Sequence, residues 1–272
     1  MKWLDSAIAQ VAGKKRQLAL SRFLEKQDAR YRTSMRRVQN FHNIHAGRRC
    51  FVIGNGPSLN QTDMSLLKDE ITFGTNRIYM NFDKMGFETT YHVCVNELVV
   101  EQCASDIAAL KMPKFIGWHA REHIDLTPDT TFLYTRGGLR NWFFTDLTEG
   151  CWEGSTVTMV SLQLAFYMGF SEVYLVGVDH RYKFEGTPHA AQVSQGEDPN
   201  HFNGNYFGKG FKWHLPDLEG SEMSYRVADF VNRQHGRQIY DATVGGALQI
   251  FPKVDFNSLF PAKSQGNLKE AA

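Results

Sequence analysis

Five groups of small and polar residues in this 272-residue chain each follow a short apolar run, and their types suit the binding of a nucleotide. The first is Gly54-Asn55-Gly56-Pro57-Ser58-Leu59, after Cys50–Ile53. The others are Gly74-Thr75-Asn76-Arg77, Asn96-Glu97, Gly177-Val178-Asp179-His180 and Asp241-Ala242-Thr243-Val244-Gly245-Gly246. Glycine lets a backbone approach a phosphate closely and take up positive φ, while Asn55 and Ser58 add hydrogen-bonding side chains beside free backbone N–H groups. The fitting guest is a nucleotide phosphate or ribose; the alternative is a tight structural turn that binds nothing. The first group is not Gly-x-Gly-x-x-Gly and no Gly-Lys-Ser/Thr follows, which excludes the dinucleotide fingerprint and the P-loop.

The elements that must position these groups alternate between strand-like and helix-like segments, the pattern of a mostly parallel sheet with helices on both faces. Strands are expected at Cys50–Ile53, Ile71–Gly74, Tyr91–Val95, Lys114–Gly117, Thr131–Tyr134, Val173–Val178 and Gln238–Tyr240. The near-continuously apolar segment Thr156–Met168 reads as an interior helix, capped by Ser155 or Thr156 and stopped by Gly169. A second helix is expected from Gly220 to Gln234. Right-handed crossovers bring the carboxyl ends of all the strands to one edge, so the five groups converge on a shared cleft. The start of the Thr156 helix opens on that edge, where its orphan N–H groups favour an anion. Residues 181–218, rich in Gly, Asn, His and aromatics, read as a lid.

Three domain-level expectations follow: a basic helical appendage at 1–45, a nucleotide-binding α/β domain at 46–262 that includes the lid, and a polar tail at 263–272. The appendage has Trp3, Leu4, Ile8 and Val11 in a first short helix. From residue 14 to 49 it carries Lys14, Lys15, Arg16, Arg22, Lys26, Arg30, Arg32, Arg36, Arg37, Arg48 and Arg49 against Glu25 and Asp28, so contact with an anionic membrane surface is a second expectation beside simple packing. Net charge is only +1, and nucleic acid is not expected as a partner. Cys50, Cys94, Cys103 and Cys151 lack Cys-x-x-Cys spacing and read as reduced core residues, which points to the cytoplasm. No apolar run is long enough for a membrane span, and the amino terminus lacks the apolar segment of a signal peptide.

The ordered stretches Ile53–Leu59, Gly74-Thr75-Asn76-Arg77-Ile78-Tyr79, Gly154-Ser155-Thr156 and Val173–Asp179 resemble the motifs of two related groups. One is the family 42 glycosyltransferases, bacterial sialyltransferases that use a CMP-activated sugar. The other is the 6-hydroxymethylpterin diphosphokinase-like group, which includes flagellin-modifying glycosylation factors. The resemblance covers roughly residues 50–260 and implies a Rossmann-like fold, a variant of the GT-A type. It implies nucleotide contacts from Asn55, Gly56 and Ser58 within Gly54–Pro57–Ser58, with Asn76 and Asn96 on the cytidine or ribose, Ser155 and Thr156 at the helix start, and Asp179 beside them. A lid histidine in a His-Tyr-x-Gly stretch is the sialyltransferase general base, and His201-Phe202-Asn203-Gly204 stands in its place. His189 and His214 are the rivals, and Tyr182 and Tyr206 would donate to the leaving phosphate. One departure stands out: the sialyltransferase arginine ahead of the helix-start motif has no counterpart in Glu149-Gly150-Cys151-Trp152-Glu153.

The resemblance thus implies transfer of a sugar, of the sialic acid or Kdo type, from a CMP-linked donor to a surface-glycan or lipid-linked glycan hydroxyl. No metal or other cofactor is expected, and the related sialyltransferases form homo-oligomers. The alternatives are a magnesium-dependent diphosphokinase acting on 6-hydroxymethyl-dihydropterin and a non-catalytic nucleotide- or glycan-binding module. The kinases of the group place acidic residues where this chain has Asn76 and Asn96, and magnesium needs carboxylates.

Overall fold

The computed structural model describes residues 20–136, 142–183 and 185–261. Its centre is a seven-stranded sheet built from β1 (Arg49–Ile53), β2 (Thr72–Thr75), β3 (Tyr91–Cys94), β4 (Lys114–Gly117), β5 (Thr130–Leu133), β8 (Glu172–Val176) and β11 (Gln238–Asp241). Each of the seven apolar runs is one of these strands. All pairings are parallel, in the order β11-β8-β1-β2-β3-β4-β5. Two-residue strands β6 (Thr135–Arg136) and β7 (Cys151–Trp152) pair separately.

Buried parallel strands are apolar on both faces, and β1 shows why the pattern does not alternate. Cys50 and Val52 point into one core with Phe73, Val93, Phe115 and Leu133. Phe51 and Ile53 point into the other with Cys94, Ile116 and Phe132. The first face is closed by an interior helix, Val157–Tyr167, whose residues from Thr158 to Tyr167 are all buried and which packs against β1, β2 and β3. Thr156 caps it by accepting from Thr158 N at 3.3 Å, and Gly169 ends it at φ +92°. The second face is covered by the helices Glu97–Gln102 and Ala104–Ala109 through Val99, Val100 and Ile107. All four cysteines are buried and free.

In chain order the helices are α1 (Ala29–Asn40), α2 (Phe82–Met85), α3 (Glu97–Gln102), α4 (Ala104–Ala109), α5 (Val157–Tyr167) and α6 (Leu218–Gln234). Helix α6 begins ahead of the expected Gly220 because Asp217 takes the cap position and accepts from Gly220 N at 2.9 Å. Helix α1 lies along edge strand β5, where Tyr31, Ser34 and Val38 are buried and Ser34 Oγ accepts from Phe132 N at 3.0 Å. That bond satisfies an edge N–H that would otherwise be a template for strand addition. The second half of the basic segment is therefore part of the core packing. Trp3, Leu4, Ile8, Val11 and the tail at 263–272 lie outside the described residues. Among the described residues no helix is long and apolar enough to cross a membrane.

The order of connections fixes where a ligand can enter. The chain runs from β1 outward to β5, then returns to β8 on the other side of β1 and ends on β11. The loops after β1 and β8 diverge to opposite sides, and the crevice between them, outside the strands' carboxyl ends, is where open α/β sheets bind ligands.

Candidate functional site

The loop after β1 is held on both flanks. Toward β2, Asn55 Nδ2 donates to Thr75 O at 3.0 Å and Thr75 Oγ1 at 2.9 Å, and Thr75 Oγ1 donates back to Ile53 O. Toward β8, Gly56 N bonds Gly177 O at 2.9 Å, while Asp179 accepts from Ser58 N at 3.1 Å and Ser58 Oγ at 2.6 Å. Pro57 starts a short 3₁₀ turn, Pro57–Gln61, where its missing N–H costs nothing. Burial pushes the Asp179 carboxyl above its usual range, and the bonds from Ser58 pull the other way.

The glycines of this loop correct the sequence expectation. Gly56 has φ −69°, and neither it nor Gly54 is in the left-handed region. They are small because β8 passes close by: a β-carbon on Gly54 would lie 2.4 Å from Gly177 O, and one on Gly56 1.8 Å from Asp179 Oδ2. The space is filled by the protein's own strand end rather than reserved for a phosphate. Among the described residues five non-glycines take left-handed backbone, and three of them, Asn76 (φ 49°), Ser155 (φ 62°) and His180 (φ 52°), lie at this sheet edge, the others being Asn43 ahead of β1 and His189 in the lid. Such residues each cost of order 1–3 kcal/mol and gather where a structure is shaped for function.

Between the β1 and β8 loops opens a cleft of about 400 Å³. Pro57, Ser58 and Asp179 line it as expected, joined by Arg181, Lys183 and Asn200 from the lid and by Val244 and Gly245 from the loop after β11. That last loop is fixed by buried Asp241, which accepts from Thr243 N at 2.9 Å and pairs with Lys253. Arg181 and Lys183 are not among the residues expected from the sequence. Their signal was two cations two residues apart just past a strand end, and they make this cleft suited to an anion.

The lid is not patternless. It carries a hairpin of β9 (Ala191–Val193) and β10 (Lys212–His214), and Gln102 at the end of α3 holds the Lys212 backbone through both its amide groups at 2.7 and 2.8 Å. It is fastened over the strand ends: Phe202 N bonds Asn55 O at 2.9 Å, Asn60 Nδ2 donates to Phe202 O at 2.8 Å, and Arg77 N donates to the Tyr206 hydroxyl at 3.2 Å. His201 sits between Asn200, which lines the cleft, and Phe202, which touches the loop.

His201 is largely buried and stacks on Tyr206, ring centroids 4.0 Å apart and 8° from parallel. Its Nδ1 lies 2.7 Å from Asp198 Oδ2. Asp198 is itself buried and accepts from Asn200 N and Phe207 N. A carboxylate bonded this way accepts, so Nδ1–H donates to it, and Nε2 has no hydrogen-bond partner among the described residues. Asp198 was missed from sequence because no spacing rule marks an Asp-x-x-His in a loop.

Other expected site residues are placed differently. Tyr206 is 1% exposed, a platform beneath His201 with its hydroxyl at Arg77 N, so it does not face the cleft as a phosphate donor would. Tyr182 stays near the surface with its ring edge-on to His201 at 6.3 Å. Asn96 is used as the cap of α3, accepting from Val99 N at 3.3 Å. Ser155 Oγ donates to Asp217 Oδ2 at 3.1 Å, tying the start of α5 to that of α6, and Thr156 caps α5. Of the expected site residues only Pro57, Ser58 and Asp179 line the cleft; His201 stands beside it, next to the lining residue Asn200, and Asn96, Ser155 and Thr156 are spent on helix starts. The Asn55 and Asn76 side-chain oxygens are buried without a partner among the described residues. Asn55 Nδ2 faces a carbonyl, so its free atom is an acceptor, suited to a ligand N–H or O–H. Of the rival histidines, His189 is mostly exposed and pairs with Asp217 at 3.0 Å, and His214 is exposed on β10. Among the described residues no three His, Cys, Asp or Glu side chains converge on a point that would hold a metal.

A family model described as 6-hydroxymethylpterin diphosphokinase MptE-like matches residues 21–185. No curated protein matches by sequence. A solved structure, the MAf glycosyltransferase from Magnetospirillum magneticum AMB-1, superimposes with a TM-score of 0.50 at 13% identity, over 90% of this chain and 42% of that one. The chain thus spans less than half of that glycosyltransferase, and the likeness is one of fold.

Proposed function

The chain belongs to the 6-hydroxymethylpterin diphosphokinase MptE-like family, and from that premise we propose that it is a glycosyltransferase moving a sugar from a nucleotide donor to a glycan hydroxyl. The observation that carries the proposal is the meeting of two features at one sheet edge: a cleft carrying Arg181 and Lys183 at the β1/β8 switch point, and the Asp198–His201 pair of the lid, next to Phe202, which is bonded to the β1 loop. Arg181 and Lys183 suit the donor's phosphate. A CMP-linked acidic sugar is the donor that the sequence resemblance favours. His201, oriented by Asp198, takes the acceptor's proton as the hydroxyl attacks. The second reading, diphosphate transfer from ATP to a pterin, is favoured by the family's name alone.

The deciding experiment measures thermal stabilisation by CMP, CDP, UDP, GDP, ADP and ATP, with and without magnesium, followed by turnover with the nucleotide-sugar of the winning base. A ligand that binds only the folded chain must raise its stability. A cytidine nucleotide that stabilises without magnesium, and a sugar donor consumed only with glycan acceptor, is the expected result. Stabilisation by ATP and magnesium alone, with AMP released on adding hydroxymethylpterin, overturns it.

A further inference from the structure

The helical turns at residues 20–27 carry an apolar row outward. Leu20, Phe23 and Leu24 are 59%, 60% and 58% exposed, at the spacing that puts side chains on one stripe of a helix. One exposed leucine is ordinary, whereas three adjoining large side chains form a patch. Exposed cations surround it: Arg22 and Lys26 on the same turns, Arg32 and Arg36 on the outer face of α1. Of the nearby carboxylates, Asp28 and Glu122 pair with Arg30 at 2.8 and 2.9 Å and Glu122 also with Arg121, while Glu25 accepts from the Tyr134 hydroxyl at 2.8 Å and keeps its charge. Arg30 and Arg121 offset Asp28 and Glu122, so the four exposed cations against Glu25 leave the field around the patch positive.

The same contacts locate the helix. Tyr134 directly follows β5 and Trp118 directly follows β4, and Leu20, Leu24, Trp118 and Arg121 line one groove of about 450 Å³. The helix thus stands over the carboxyl ends of β4 and β5, on the sheet edge that holds the cleft. From β1 to β5 is four strand spacings, roughly 19 Å.

We propose that residues 20–27 seat this protein on an anionic lipid bilayer, with Leu20, Phe23 and Leu24 entering the headgroup boundary and Arg22, Lys26, Arg32 and Arg36 on lipid phosphates. Charge decides this over a second copy of the chain. Pairing two copies through the patch would bring like cations together, whereas an anionic surface neutralises all of them. Docked so, the cleft edge faces the membrane, and if the transferase reading holds, a lipid-linked acceptor comes within reach of it.

The test is co-sedimentation of the full chain with phosphatidylcholine vesicles, with and without phosphatidylglycerol, at low and high salt. The wild type should bind the anionic vesicles and lose most of that binding at high salt. Arg22→Gln/Lys26→Gln should weaken it about fivefold per charge removed, and Phe23→Glu/Leu24→Glu by more than tenfold. Nucleotide affinity in solution should be unchanged in both variants, which separates failure of this proposal from failure of the nucleotide site. Wild-type indifference to anionic vesicles overturns the proposal, as does equal binding by wild type and both variants. A wild-type dimer that Phe23→Glu/Leu24→Glu converts to monomer in sedimentation equilibrium also overturns it, by assigning the patch to a second copy.

Discussion

Gly56 and Asp179 occupy each other's space: a β-carbon on the glycine would fall 1.8 Å from Asp179 Oδ2, while that carboxylate receives the next turn of the chain through Ser58 N and Oγ. The contact joins the loops after β1 and β8 and so sets the width of the cleft between them. Gly56→Ala is expected to push Asp179 off Ser58 and to lower stability by about 1–3 kcal/mol, the usual range for overpacking. In an Asp179→Ala background the same substitution should cost markedly less, since its clash partner is gone. Urea unfolding of the four proteins checks this, and additive losses would show that the two residues are not coupled.

Arg181 and Lys183 should act on the phosphate alone. Arg181→Gln and Lys183→Gln are each expected to weaken nucleotide binding roughly tenfold, in line with about 1.5 kcal/mol for a charged hydrogen bond, and to flatten its dependence on salt. Binding of the corresponding free nucleoside should hardly change. Calorimetric titration of nucleotide and nucleoside at two salt concentrations distinguishes this from a general loss of the fold, which would weaken both.

His201→Ala should reduce turnover by about 10² to 10⁴ with little change in donor affinity, the contribution of a positioned base. Asp198→Asn keeps an acceptor oxygen for the lid backbone but can present an N–H to the imidazole, so turnover should fall at least tenfold through the wrong tautomer. His189→Ala and His214→Ala should remain active. Steady-state rates of the four variants decide the matter, and a loss confined to His189→Ala or His214→Ala would move the base to another lid histidine.

His92 gives a stability prediction that does not depend on the reaction. It is fully buried on β3, in register with Lys114 of β4, and its ring nitrogens have no partner among the described residues. Burial, with the Lys114 charge adding to it, holds its pKa down to about 3. The unfolded chain titrates this group near 6.5, so between these values it binds a proton that the native state refuses. Stability contributed by neutral His92 is present above pH 6.5 and is lost as pH falls, by up to about 1.4 kcal/mol per unit. His92→Phe, or His92→Gln if the ring change is not tolerated, should lose about 1.6 kcal/mol less than wild type between pH 6.5 and 5. Chemical denaturation at the two pH values measures the difference.

The seven strands and the interior helix are legible in the amino-acid order alone, because both are written in local terms. Runs such as Cys50–Ile53 and Lys114–Gly117 are apolar throughout, and Val157–Tyr167 is bounded by Thr156 and Gly169, residues whose conformational preferences act over one turn. That order also dictates that polar groups collect at one sheet edge, since parallel strands joined by right-handed crossovers leave no other arrangement. What each of those groups touches is set only when the chain folds. Asn96, Ser155 and Thr156 look like ligand contacts in sequence, yet they are taken up by helix starts, and Tyr206 is taken up as a floor for His201. Gly54 and Gly56 look like room for a phosphate, yet they make room for Gly177 and Asp179 of the loop after β8, more than a hundred residues away in sequence. Asp198, Arg181 and Lys183 acquire meaning only when the lid folds back. The physical reason is the range of the forces involved: strand and helix preferences are summed over neighbours along the chain, whereas a hydrogen bond or a steric exclusion at a site is settled by whichever group arrives there in space.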